Sequence, residues 1–228
     1  MSNNNIQNIL NTIDSSNSID VYLPDSKEVI KVKRYDLSSV NSISKLINHQ
    51  DINNLLLNYG KFLIDTVKSK TENNLSFIDF NTVIIALRSA ENNVYKNTDL
   101  NSILDTLKDF KGITFNSIVE IKENDILYKI ELNLPCINRI KDILDISIKD
   151  AENSLLFYNI FKYVKNIEIS TKDLKTTIES VSDLKSVYNV ISYKVLNKIS
   201  VSTSLIEKEL YSLFKVNIET DTSFIYSI

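Results

Sequence analysis

The chain has 228 residues, with 26 basic and 29 acidic side chains and a formal net charge of −3 at pH 7. A charge this close to zero gives no general attraction to nucleic acid. Its two glycines cannot form a phosphate-binding loop. The single His49 and single Cys136 are too few for a structural zinc site. We therefore expect no metal and no cofactor.

The N-terminal part predicts a polar arm followed by a β-hairpin. Residues 1–19 are polar with a few spaced apolar residues, and we expect a flexible arm. The hairpin is predicted at about 20–34, where the turn residues 24–26 separate two apolar runs. A basic cluster at 31–34 is interpreted as protection of an edge strand, with a contact to phosphate or to an acidic partner as the alternative.

Three helices are predicted next. Apolar residues recur at helical spacing over about 51–69 and again over about 77–91. Ser76, with Asp79 three residues later, is typical of a capping box at the start of the second helix. Thr98 is the predicted N-cap of the third helix, which Gly112 ends.

The clearest strand pattern lies at 112–134 and ends at Pro135. Apolar residues alternate along two runs separated by a polar turn, which predicts a long antiparallel hairpin with one apolar face. The residues predicted to face one core are Phe115, Val119, Tyr128, Ile130 and Leu132.

The last hundred residues are predicted to be helical. One apolar stripe runs over 156–167, and a second runs over 174–195 at a period near 3.5. Two further helix starts are indicated by Ser180 with Asp183 and by Ser204 with Glu207.

Together these elements predict an α+β fold that is predominantly helical, with two antiparallel β-hairpins packed against amphipathic helices. We divide the chain into the arm at 1–19, a hairpin–helix–hairpin region at 20–135 and a helical region at 136–228. The last region is either a separate unit or part of the same compact domain, because no Gly/Pro-rich linker precedes it.

No residue shows the pattern of a catalytic group. His49 lies in a polar segment without a partner that would make it a base. Cys136 would need an activating base, and His49 is the only imidazole. Carboxylates are numerous, but no spacing singles out an acid–base pair. The longest apolar runs are also far too short to span a membrane.

Two other features allow alternative interpretations. Arg88 is one of three arginines in a lysine-rich chain, and it either forms a bidentate pair with a carboxylate or extends along the surface. The apolar end at 224–228 is either a strand in the core or a peptide that docks onto another subunit.

Three sequence features occur together. The segment 21–29 has a strand, then Leu-Pro, a polar turn and a second strand. Phe77-Ile78-Asp79-Phe80 opens a helix that closes on Leu87-Arg88-Ser89. A later hairpin is followed by a helical half with an aromatic tail. This combination resembles the baseplate hub assembly proteins of T-even-type contractile-tailed bacteriophages.

The resemblance implies a non-enzymatic assembly factor or hub component that binds other baseplate hub or spike proteins. It would act in the host cytoplasm during assembly or in the tail baseplate of the virion, without a nucleic-acid or membrane partner. Asp79 and Arg88 match the family's motif and are interpreted as fold-setting. The expected interface residues are Val21, Tyr22, Leu23 and Pro24 in the first hairpin and Phe224, Ile225, Tyr226 and Ile228 in the tail.

Three other functions stay open: an enzyme with an unrecognised active site, a cytosolic α+β adaptor unrelated to phage, and a nucleic-acid binder that uses the basic strand. A cleft with converging titratable groups would favour the enzyme. A large exposed apolar patch would favour assembly.

Overall fold

A computed structural model of the chain describes residues 6, 17–34, 52–70, 74–149 and 154–218. These residues contain seven helices and eight strands, which confirms the predicted α+β class. In chain order the elements are β1 (Ser18–Leu23), β2 (Glu28–Lys33), α1 (Ile52–Lys70), α2 (Phe77–Glu91), β3 (Val94–Tyr95), β4 (Thr98–Asp99), α3 (Leu100–Leu107), β5 (Ile118–Glu123), β6 (Ile126–Leu132), α4 (Ile137–Lys149), α5 (Ser154–Phe161), β7 (Val164–Ser170), β8 (Lys175–Ile178), α6 (Val181–Tyr188) and α7 (Tyr193–Phe214).

The first predicted hairpin is confirmed. β1 and β2 pair antiparallel from Ser18↔Lys33 to Leu23↔Glu28. Lys27 closes the turn with a φ of 61° and donates its N–H to the Leu23 carbonyl at 2.9 Å. The predicted arm lies largely outside the described residues, although its last two positions belong to β1.

The second predicted hairpin forms one half of a four-stranded antiparallel sheet in the order β5-β6-β7-β8. β5 begins at Ile118, later than predicted, and residues 112–117 form no regular strand, although the Ser117 carbonyl accepts the Leu132 N–H of β6 at 2.7 Å. Asn124 makes the turn to β6 with a φ of 52°. The predicted inward face is confirmed: Tyr128, Ile130 and Leu132 are buried, and Phe115 and Val119 pack against them partly buried.

The prediction of helices throughout the last hundred residues is wrong over 164–178, where β7 and β8 lie. Val164 and Ile167 are three residues apart and both buried, as in a helix. The cause is a β-bulge: Glu131 faces Asn166 but Leu132 faces Val164, so one residue of β7 has no partner on β6. The bulge interrupts the strict alternation of a strand and produces a spacing that resembles a helix.

The helix starts are partly as predicted. Ser76 caps α2 and Ser180 caps α6, each accepting the N–H of the aspartate three residues later. The N-cap of α3 is Asp99 rather than Thr98. The predicted capping box at 204–207 is wrong because both residues lie inside α7, which starts after its cap Ser192. Its buried stripe runs without a break from Val195 to Phe214, so packing continues the helix through these residues.

Elements from both sides of Pro135 share one sheet and one core. β6 pairs with β7, and the buried cluster contains side chains of all seven helices. Backbone bonds also cross this point: Phe77 donates to the Pro135 carbonyl and Ile137 donates to the Leu75 carbonyl, both at 3.0 Å. The two regions therefore pack against each other directly in this structure.

Candidate functional site

Asp79 fastens the first hairpin to α2. It is only 2% exposed, and its two carboxylate oxygens accept the backbone N–H of Asp25 at 2.8 Å and of Ser26 at 3.1 Å. Burial raises the pKa of the Asp79 carboxyl above its usual value, although these two N–H donors act in the opposite direction. The carboxylate thus fixes the turn of the first hairpin, and both of its oxygens are used in that structural contact.

Arg88 lies in the last turn of the same helix and is 1% exposed. The surface interpretation is therefore wrong. Its Nη1 is 3.5 Å from the Asn92 carbonyl oxygen. Asp79 is bound by the hairpin turn rather than by Arg88. A guanidinium enclosed at this depth must be held by several acceptors, which suits a fold-setting residue.

The apolar residues of the first hairpin face this chain's own core. Val21, Leu23 and Pro24 are buried and Tyr22 is half-buried, so their apolar character needs no partner to explain it. The large apolar residue that this hairpin exposes is Val29. The predicted tail contacts at 224–228 lie outside the described residues, as does His49.

Cys136 and the possible metal ligands of the described residues show the following arrangement. Cys136 is half-buried, and its backbone forms an isolated bridge with Ser76. Within those parts, no three His, Cys, Asp or Glu side chains are grouped to hold a metal ion. None of their helices combines the length and apolar character needed to cross a membrane.

Two buried lysines were not found by sequence reasoning. Lys162 is 2% exposed; its Nζ lies 3.1 Å from Glu207 Oε1 and 5.0 Å from the ring centres of Tyr158 and Tyr163. Lys185 packs its Nζ over the ring of Phe157 at 4.8 Å. Both interactions are cation–π contacts, and both lysines fix neighbouring elements in the core. The only signal in the sequence is that each lysine lies close to several aromatic residues.

Arg139 is a third residue that the sequence did not single out. Its Nη1 donates to the Glu179 carbonyl at 2.9 Å, and its Nη2 donates to the Val164 carbonyl at 3.1 Å. Burial lowers the pKa of this guanidinium. Arg139 therefore joins α4 to the start of β7 and to the end of β8.

An apolar groove lies beside the C-terminal end of α7, and we call it the α7 groove. It is open to solvent, and its cavity volume is about 50 Å³. Its polar lining residues are Asn81, Glu207 and Asn217, and two tyrosines also line it. Its apolar lining includes Phe77, Tyr163, Leu210, Tyr211, Phe214 and Ile218.

A second surface lies where the turns of the four-stranded sheet meet, and we call it the turn end. The β5–β6 turn and the β7–β8 turn are at the same end, because Leu127 pairs with Ser170 and Ser170 with Lys175. Ser192 Oγ donates to Glu123 Oε2 at 2.6 Å, which brings the junction of α6 and α7 to this end. Four exposed apolar residues lie here: Leu127, Leu174, Val190 and Tyr193.

The turn end carries the most exposed large apolar side chains of the described residues. Val190 and Tyr193 are each 81% exposed, and Leu174 is 75% exposed. The apolar stripe predicted over 174–195 includes Leu174 in a helix, and the sequence pattern gives Val190 and Tyr193 no role. Leu174 lies in the turn between β7 and β8, the two strands that the sequence pattern did not predict.

No protein-family model, curated protein or solved structure matches this chain. Its function must therefore be argued from the surfaces and contacts described above.

Proposed function

We propose that this chain is a non-enzymatic assembly protein of a contractile-tail baseplate hub, acting through protein–protein contacts at the turn end. It would serve as an assembly factor or hub component, with other hub or spike proteins as partners. The observation that carries the proposal is the exposure of Leu174, Val190 and Tyr193 at one end of the sheet. Large exposed side chains of this kind are typical of contact surfaces when they cluster.

Energy supports a partner at this surface. Transferring each such side chain from water into an interface contributes about 1.5–3 kcal/mol. Tyr193 adds a polar tip to an apolar ring, a combination that is enriched at protein interfaces. The turn end also belongs to a regular part of the fold, since β6 and β7 pair from Leu127–Ser170 to Leu132–Val164.

The residues that carry the family resemblance are consistent with an assembly role. The Leu-Pro turn of the first hairpin and the Asp-initiated helix α2 touch each other through Asp79 and the N–H groups of Asp25 and Ser26. Both motifs therefore contribute to the same contact between the first hairpin and α2.

The test is co-purification from infected cells with identification of the bound proteins. Tagged chains carrying Leu174→Asp and Val190→Asp should lose the hub or spike proteins that the native chain retains. The matched control carries Val201→Asp and Leu205→Asp, two exposed residues of α7 away from the turn end. This control should retain the partners. All chains should melt at a similar temperature, since every changed residue is exposed.

Two results would contradict the proposal. If the turn-end variant keeps its partners as well as the control does, the contact surface lies elsewhere. If the native chain retains no tail proteins at all, the baseplate assignment is wrong.

A further inference from the structure

The first hairpin has a backbone edge that no other described strand covers. Arg34 donates its N–H to the Asn17 carbonyl at 2.9 Å, so these residues form a hydrogen-bonded pair at the end of the ladder. Hydrogen-bonded and non-hydrogen-bonded pairs alternate along antiparallel strands. Asp20 and Tyr22 of β1 are therefore in non-hydrogen-bonded pairs, and their N–H and C=O groups point away from β2. Among the described strands, β1 pairs with β2 alone.

A groove lies beside this edge, and we call it the β1 groove. Asp20, Val21 and Tyr22 line it together with Ala86 of α2. Its cavity volume is about 460 Å³ and it is open to solvent, and sites that hold ligands commonly have volumes of about 300–1,000 Å³. Four residues of α3 complete the lining at a spacing of three or four, which places them on one face of that helix: Asn101, Leu104, Asp105 and Lys108.

We propose that the β1 groove binds an extended peptide segment of a partner protein, which adds a strand to the free edge of β1 and alternates basic with apolar side chains. A strand edge beside a helix suits this mode of binding, because main-chain hydrogen bonds supply affinity and alternate side chains supply specificity. The apolar side chains of the hairpin pack into this chain's own core, so the backbone of β1 is the part that remains for a partner.

The charge of the β1 groove favours a basic segment. Asp105 is paired with Lys108 at 2.7 Å, and Asp20 is exposed on the edge itself. Two carboxylates and one ammonium line the groove, so one negative charge is in excess. Leu104 is half-buried and Ala86 is buried, and they give the groove an apolar wall. A lysine or arginine beside Asp20 would therefore alternate with an apolar side chain against α3.

The opposite edge of the hairpin is the natural comparison. Lys31 faces Asp20 across the ladder, so its N–H also points outward, on the free side of β2. Lys31 and Lys33 are both exposed there, and lysines on an edge strand oppose the addition of another strand. The β1 edge lacks this protection. The β1 groove also shares no residue with the turn end, so its occupation does not depend on the proposed function.

The test uses the full chain and a fluorescein-labelled probe peptide, Thr-Lys-Val-Lys-Val-Lys-Thr, blocked at both ends. Titration followed by fluorescence anisotropy should show saturable binding of this peptide. The charge-reversed peptide Thr-Glu-Val-Glu-Val-Glu-Thr should bind several-fold more weakly. Residue-resolved amide exchange of the native chain gives the location. Saturating lysine peptide should slow exchange of the Asp20 and Tyr22 amides several-fold and leave the Val29 and Lys31 amides unchanged.

Three variants separate backbone pairing from charge. Asp20→Pro removes an N–H that β2 does not use, and it should weaken the lysine peptide about tenfold or more, as expected for a lost main-chain hydrogen bond. Lys31→Pro is the matched control, because it places the same ring directly opposite on β2 and should keep the affinity. Asp20→Asn keeps the backbone donor and should weaken binding less than proline does. Thermal unfolding checks that the two proline variants are folded to the same extent.

Each other outcome overturns the proposal. Absence of saturable binding, or equal affinity for the two peptides, would contradict a groove for a basic segment. Asp20→Asn as damaging as Asp20→Pro would show that charge alone holds the peptide. Slowed exchange at Val29 and Lys31 would place the peptide on the β2 edge. Amides of Asp20 and Tyr22 that become protected on concentrating the free chain, with a dimer in sedimentation, would show that a second copy occupies the edge. The exchange experiment uses the native chain, so it decides the matter even if Asp20→Pro does not fold.

Discussion

At the scale of single residues, Asp79 shows how one side chain connects distant parts of the sequence. Ser76 and Asp79 form the predicted helix cap, but the Asp79 carboxylate bonds to the turn at Asp25 and Ser26 instead of to the cap backbone. The sequence contains the cap because capping is local. It gives no local sign of the partner of the carboxylate, because that turn lies more than fifty residues earlier in the chain.

The stability contributed by Asp79 should depend on pH. Because burial raises the pKa of its carboxyl, the folded protein binds the proton more tightly than the unfolded chain does. Stability then falls as pH rises through the window between the usual and the raised pKa. We expect Asp79→Asn to cost about 1–2 kcal/mol at pH 7, through the loss of one charged acceptor. The difference in unfolding free energy between the native and Asp79→Asn proteins should be larger at pH 4, as measured by urea unfolding at both pH values.

The control for this experiment is Asp105→Asn. Asp105 is exposed and pairs with Lys108 at 2.7 Å, so its replacement should change stability by about 0–1 kcal/mol. A gap between native and Asp79→Asn protein that narrows on acidification would contradict the assigned direction of the pKa shift.

Arg88 should not tolerate lysine. Its guanidinium is enclosed near the end of α2, and an ammonium cannot reproduce the planar arrangement of several donors. We expect Arg88→Lys to lower the free energy of unfolding by about 1–3 kcal/mol, although the charge is kept. The reverse exchange at an exposed site, Lys108→Arg, serves as the control and should be nearly neutral. If Arg88→Lys and Lys108→Arg have the same denaturant unfolding midpoint, charge alone suffices at position 88.

At the scale of elements, local patterns predicted α2 and the two hairpins well, because their signals lie within a few residues. Local interactions between residues close in sequence set the tight turns at Pro24 and Asn124 and the helix cap at Ser76. β7 escaped prediction because its buried Val164 and Ile167 have a helix-like spacing, and that spacing results from a bulge against β6. A bulge is a property of the pair of strands. One strand's sequence does not reveal it.

The start of α7 gives a direct test at this scale. Ser192 accepts the Val195 N–H at 3.3 Å and also donates to Glu123. We expect Ser192→Ala to destabilise the protein by about 0.5–2 kcal/mol. Ser204→Ala should be neutral or slightly stabilising, because Ser204 is exposed inside the helix and alanine is the better helix former. Thermal unfolding of both variants compares them. A larger loss at 204 would restore the helix start predicted there.

The inward face of the four-stranded sheet gives a second test. Ile130 is fully buried on β6, between Val119 on β5 and Ile167 on β7. Ile130→Asp would place an unpaired carboxylate in the core, and we expect a loss of several kcal/mol or failure to fold. Leu127→Asp, on the same strand but partly exposed, should cost far less. A soluble Ile130→Asp protein with an unchanged melting temperature would refute this orientation of the strand.

At the scale of the whole molecule, the candidate surfaces depend on contacts between elements far apart in sequence. The apolar residues of the first hairpin looked suitable for a partner, yet Val21 and Leu23 pack inward against their own chain. Leu174 and Val190 reach the surface because β7, β8 and α6 bring them to the turn end. The composition showed that large apolar residues were present. Only the assembled sheet shows which of them are left in water.

The pairing of β6 with β7 predicts that the regions 20–135 and 136–228 fold together. A fragment 1–135 would expose the β6 edge and Phe77, which contacts Tyr163 at a ring distance of 6.1 Å. A fragment 136–228 would lack the partner of β7. We expect each fragment alone to lack a cooperative thermal transition, and the full chain to unfold in one transition. Co-expressed fragments should associate and regain that transition, because the β6–β7 edge is then complete. A cooperative melt of either fragment alone would instead show an independent domain.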